Sequence, residues 1–127
     1  MNKTIQMTPD NYKQIANTVR PENQKDVRVG YLVGNVNGDI VAVLQGVIPA
    51  QESSPVYSTV KPGEIQRIQE LAKADGREIV GMVCYHPTLV AFESATERES
   101  RANLSSLIGN PCLLIVVGKN DACQISY

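Results

Sequence analysis

Glu78-Ile79-Val80-Gly81-Met82-Val83-Cys84-Tyr85-His86-Pro87 is the stretch on which the fold of this chain turns. Its apolar, β-branched run predicts a buried strand from Glu78 to Tyr85 that delivers Cys84 and His86 to a loop. Side chains two apart on a strand point to the same side, so Cys84 and His86 face one pocket. A new helix opens at Ser94 in Ser94-Ala95-Thr96-Glu97 and places Glu97 in its first turn. A thiolate, an imidazole and a carboxylate then converge, the donor set a zinc ion with one open position requires. Each also has a plainer role. Ser-x-x-Glu before a helix is a capping box, a lone buried cysteine is a small hydrophobe, and His86 is the chain's single histidine.

Length and charge narrow the function classes. A chain of 127 residues, 43% of them hydrophobic, holds one domain with one core. Twelve Lys and Arg against 13 Asp and Glu leave a net charge of -1, which argues against a nucleic-acid binder, since such domains carry a basic surplus. There is no apolar run of the ~20 residues a membrane helix needs and no signal-peptide segment at Met1-Asn2-Lys3-Thr4, so a cytoplasmic protein without membrane contact is expected. Cys84, Cys112 and Cys123 are odd in number and lack C-x-x-C spacing. A disulfide framework is not expected, and Cys112 and Cys123 read as core.

Outward from the central strand the pattern alternates. After a short extended piece from Thr4 to Met7, Thr8-Pro9-Asp10 predicts a helix start, with a capping hydroxyl, a proline at the first helical position and an acid favoured by the dipole. That helix runs to Val19 with Tyr12, Ile15, Ala16 and Val19 on one face. Val27–Gly34 and Asp39–Ile48 form a hairpin around Asn35-Val36-Asn37-Gly38. Pro49 to Lys61 is a polar connection. A helix from Pro62 to Ala74 carries an apolar stripe at Ile65, Ile68 and Leu71, and Asp75-Gly76 ends it. Beyond the motif come a helix from Ala95 to Leu107, a strand from Cys112 to Gly118 buried on both faces, and a last strand from Cys123 to Tyr127. The order α-β-β-α-β-α-β-β predicts an α+β or three-layer domain.

The segment from Cys84 to Glu97 resembles the motif of the JAMM/MPN domain family, H-x-H-x7-S-x2-D with a glutamate on an earlier strand. Seven residues separate His86 from Ser94 and two separate Ser94 from Glu97, so the register holds. Pro87 and Gly81 fit as well. Cys84 stands for the first histidine and Glu97 for the aspartate. Gly30-Tyr31-Leu32-Val33-Gly34 matches the glycines of the E-x-x-G-x-L-x-G segment, but Val27 occupies the position of the catalytic glutamate. The resemblance implies a three-layer α/β/α, cytidine-deaminase-like fold, a mixed sheet flanked by helices. It implies Cys84, His86 and Glu97 as zinc ligands and Ser94 as the catalytic residue that steadies an oxyanion. With Val27 lacking a base, the expected role is a non-catalytic interaction or scaffold module. Its partner would be a ubiquitin-like protein, another MPN subunit or a second copy of the chain. The competing expectation is a divergent zinc-dependent isopeptidase acting on ubiquitin-like or other protein tails.

Overall fold

The structure is a computed structural model that describes residues 4–22, 25–54, 58–87, 102–106, 113–118 and 123–126, the last of these by backbone alone. In chain order the elements are β1 (Thr4–Gln6), α1 (Pro9–Val19), β2 (Arg28–Asn37), β3 (Ile40–Val47), β4 (Gln51–Ser53), β5 (Ser58–Val60), α2 (Glu64–Ala74), β6 (Glu78–Tyr85), β7 (Leu113–Val117) and β8 (Cys123–Ser126). Residues 102–106 are helical. Six strands form one mixed sheet in the order β1-β3-β2-β6-β7-β8, and β4 pairs with β5 in a separate hairpin. The β1/β3 and β6/β7 pairs are parallel and the remaining pairs antiparallel, which makes the fold α+β.

Helices cover both faces of the sheet, as the apolar runs of its central strands require. On one face Ile15, Ala16 and Val19 of α1 pack on Leu32, Val41, Val83, Tyr85 and Ile115. On the other, Ile68 and Ala72 of α2 and Leu104 of the 102–106 segment pack on Tyr31, Met82, Cys84 and Val116. Every residue of β7 is buried, so the expectation of a strand covered on both faces holds across Leu113–Val117. Cys112 lies outside the described residues.

Two slips of register decide which face each residue takes. Against β2, Val33 pairs with Gln45 and Gly34 with Val43, so Leu44 has no partner. An extra residue on one strand reverses the side-chain alternation beyond it. Val41 and Val43 therefore face α1, whereas Gln45 and Val47 turn to the α2 face, where Arg77 Nη1 donates to Gln45 Oε1 at 3.1 Å. On β6 the unpartnered residue is Val80, which lets Ile79 and Met82 share the α2 face.

Helix α1 starts where the sequence places it. Thr8 caps it, its Oγ1 accepting from the Asn11 N–H at 3.1 Å, and Pro9 stands at the first helical position. Strand β1 covers β3 only as far as Ala42, and beyond that point α1 satisfies the backbone. Asn11 Nδ2 donates to the Val43 carbonyl at 3.3 Å, and the Gly46 N–H donates to Gln14 Oε1 at 3.1 Å.

Three local expectations are corrected. The hairpin turn is Gly38-Asp39 rather than Asn35–Gly38: Asn35, Val36 and Asn37 remain paired, and Gly38 holds a positive φ of 62°. The polar connection from Pro49 to Lys61 contains the β4–β5 hairpin. Helix α2 begins at Glu64 and buries Glu64, Ile68 and Ala72, leaving Leu71 at 55% exposure.

Candidate functional site

The C-terminal end of β6 carries the first two residues singled out by the sequence. Cys84 is 1% exposed and sits in the apolar cluster with Tyr31, Met82, Leu104 and Val116. The phenol of Tyr31 is pushed up to about 12, mainly by burial and further by the nearby Cys84 and Glu64, so it stays a neutral hydroxyl. Beyond Tyr85 the strand geometry continues for one residue, because the His86 N–H donates to the Val117 carbonyl at 2.9 Å. Strand alternation then sets His86 on the side of Cys84. Its Nε2 is withdrawn from solvent, and burial holds the imidazole below its ordinary pKa. The ring is therefore neutral at pH 7, the form in which histidine ligates metals.

Strand β2 supplies the opposite wall. Arg28 pairs with Tyr85 and Val29 with Cys84, so the next step of this antiparallel register sets Val27 across from His86. Val27 is 7% exposed and its N–H donates to the Ser54 carbonyl at 2.8 Å. The place one step from the imidazole is thus filled by an apolar side chain. Ser94 and Glu97 lie outside the described residues, and among the described residues no group of three or more His, Cys, Asp or Glu side chains is placed to hold a metal ion.

Next to these strand ends, on the α2 face, lies a groove of about 280 Å³ walled by Val29, Tyr31, Val60, Ile65, Met82 and Leu104. Two polar side chains beside it were not singled out by the sequence. Gln51 bonds both backbone groups of Val29: the Val29 N–H donates to Oε1 at 2.8 Å, and Nε2 donates to the Val29 carbonyl at 2.7 Å. Glu64, 9% exposed, accepts the Ala50 N–H at 2.6 Å and pairs with Arg67 at 2.5 Å. The Arg67 guanidinium first, and then the Ala50 N–H, hold its carboxyl below the usual carboxylate range. Pro49, which cannot donate a backbone hydrogen bond, was the readable sign that a side chain would be needed here.

No protein-family model matches the sequence, and no curated protein matches it. Among solved structures, the chain is similar to the solution structure of protein DSY2949 from Desulfitobacterium hafniense, a structural-genomics target. The TM-score is 0.68 at 17% identity, and the match covers 97% of this chain and 90% of that one. The likeness is one of fold. No helix among the described residues is long and apolar enough to cross a membrane.

Proposed function

We propose that this chain is an MPN-type domain of the cytidine-deaminase-like α/β/α class with a degenerate JAMM site, acting in the cytosol as a non-catalytic interaction or scaffold module. The observation that carries this reading is Val27, apolar and buried, one residue before the Arg28–Tyr85 pair at the end where β6 delivers His86. Hydrolysis of an amide at a metal needs a general base within reach of the attacking water, and valine has no group that accepts a proton.

The donor chemistry of Cys84, His86 and Glu97 suits zinc, and the neutral imidazole of His86 with its Nε2 turned inward agrees with a ligand role. Zinc held there would polarise a carbonyl and acidify a bound water. Cys84 brings a thiolate in place of an imidazole, which adds negative charge and weakens that polarisation. Ser94 would donate a hydrogen bond to an oxyanion, a contribution of about 3 kcal/mol that does not replace a base. A site of this composition retains metal affinity more readily than activity. Its partners on this reading are a ubiquitin-like protein, another MPN subunit or a second copy.

The test is restoration. The variant Val27→Glu with Cys84→His and Glu97→Asp, checked for folding by its amide spectrum, is expected to cleave a ubiquitin-like fusion in a zinc-dependent manner while the parent does not. Cleavage by the parent that a chelator abolishes overturns the scaffold reading in favour of the isopeptidase.

A further inference from the structure

The hydrogen bonds along one edge of β2 change character part way. Tyr31 pairs with Val47 of β3, and continuing that antiparallel register by two residues brings Val29 opposite Pro49. A proline has no N–H, so it cannot donate to the Val29 carbonyl, and the ladder must stop there. The Gln51 carboxamide supplies what is missing. It offers one donor and one acceptor in the geometry of a peptide group, and it meets the Val29 carbonyl at 2.7 Å and N–H at 2.8 Å. Two neighbours hold it in place, the Pro49 carbonyl accepting from Nε2 at 3.2 Å and the Ser58 hydroxyl donating to Oε1 at 2.5 Å. Two residues back along the chain, the Val27 N–H goes to the Ser54 carbonyl.

The described strands of the β4–β5 hairpin that carries Gln51 are held mainly by polar contacts. Among its described residues none belongs to the buried core, and Val60 packs against that core from the side. Its base is closed by Lys61 N–H to the Ala50 carbonyl at 2.9 Å and tied to α2 through Ala50 N–H and Glu64. An element held by polar contacts with few buried apolar ones belongs to the low end of local stability and opens without global unfolding. Ser58, Thr59 and Val60 of the same hairpin form one wall of the groove that Val29, Tyr31 and Met82 floor.

We propose that the Gln51 carboxamide is a side-chain latch, standing in for the strand that Pro49 interrupts, and that its release swings the β4–β5 hairpin away as a movable wall of the groove. The device does not depend on whether a metal binds at Cys84 and His86.

Amide hydrogen exchange on the full chain tests it. Replacing the carboxamide by an apolar side chain of similar size, Gln51→Leu, is expected to speed exchange at Val29 and Val27 at least tenfold while Leu32 and Ile115 keep parental rates. The methyl resonance of Met82 should shift as the wall is lost. Ser58→Ala removes one support of the latch and should speed Val29 by a smaller factor, which keeps the test decisive if Gln51→Leu fails to fold. Glu52→Ala, at an exposed position of the same hairpin, should change neither signal. Unchanged Val29 exchange in both latch variants overturns the proposal. So do parental hairpin amides that exchange only as slowly as Ile115. Faster Val29 exchange with Met82 unmoved overturns the movable wall.

Discussion

At the scale of single residues, two glycines separate a limit of space from a limit of conformation. A Cβ at Gly81 would be driven into the Leu113 carbonyl of the neighbouring parallel strand, where both chains are buried and neither has room to yield. A Cβ at Gly38 would meet nothing within 4 Å, but φ there is 62°. Gly81→Ala is therefore expected to cost about 2–3 kcal/mol through overpacking, and Gly38→Ala about 1 kcal/mol through backbone strain; urea unfolding of the two variants ranks them. Glu64 sets a different kind of limit. Its carboxyl is held below its ordinary value by Arg67 and the Ala50 N–H. The unfolded chain then binds the proton first as pH falls, so the stabilisation is full above about pH 4.5 and is lost as pH falls through the folded value. Glu64→Gln should remove that part of the acid sensitivity, so the drop in urea midpoint between neutral and acid solution becomes smaller than in the parent.

At the scale of elements, α1 and β6 were legible because local chemistry fixes both their ends. The Thr8-Pro9-Asp10 start and the Arg20-Pro21 stop mark α1, and Thr8→Ala should cost about 1 kcal/mol by orphaning the Asn11 N–H, a loss visible as a lower thermal midpoint. The apolar run from Ile79 to Tyr85, ending before Pro87, marks β6 in the same way. Helix α2 was legible as a helix but not in its orientation. The stripe Ile65, Ile68 and Leu71 predicts one buried face, yet the Ala50 N–H draws Glu64 inward, and Ala72 rather than Leu71 completes the buried row. The β4–β5 hairpin was not legible at all, since Gln51–Ser53 has no apolar alternation and is bound through the Gln51 side chain. The register slips at Leu44 and Val80 were equally hidden, because both lie within apolar runs where either face accepts the residue. For the candidate site, the sequence sets Cys84 and His86 two apart at the end of β6 and Val27 at the start of the β2 segment, and extending the Arg28–Tyr85 register by one residue sets Val27 opposite His86. Ser94 and Glu97 lie beyond the described residues.

At the scale of the whole molecule, the question is which surface a scaffold would use. The apolar stripe of α1 is not free for this, because Ile15 and Val19 are 0% exposed and Tyr12 packs against the same core. Among the described residues, Leu71 on α2 is the most exposed large apolar side chain. It rims a hollow of about 350 Å³ floored by Val33, Val47, Ile68 and Ala72. Glu70 and Lys73 flank Leu71 with opposite charges on exposed positions. In a two-fold contact each residue meets the surface of its own copy, so paired Glu70 and Lys73 can face one another while Leu71 enters the partner's hollow. One leucine is a small part of the ~800 Å² a stable interface buries on each side, and a weak, concentration-dependent pairing is the expected form. Sedimentation across a concentration series should show the mean mass rising with concentration. Leu71→Lys, which costs the exposed position no more than about 0.5 kcal/mol of fold stability, should abolish that rise. Asn17→Glu on the exposed face of α1 should leave it intact. A mass that stays at one chain throughout, in the parent as in the variants, rules out self-pairing and makes a heterologous partner the requirement of the scaffold reading.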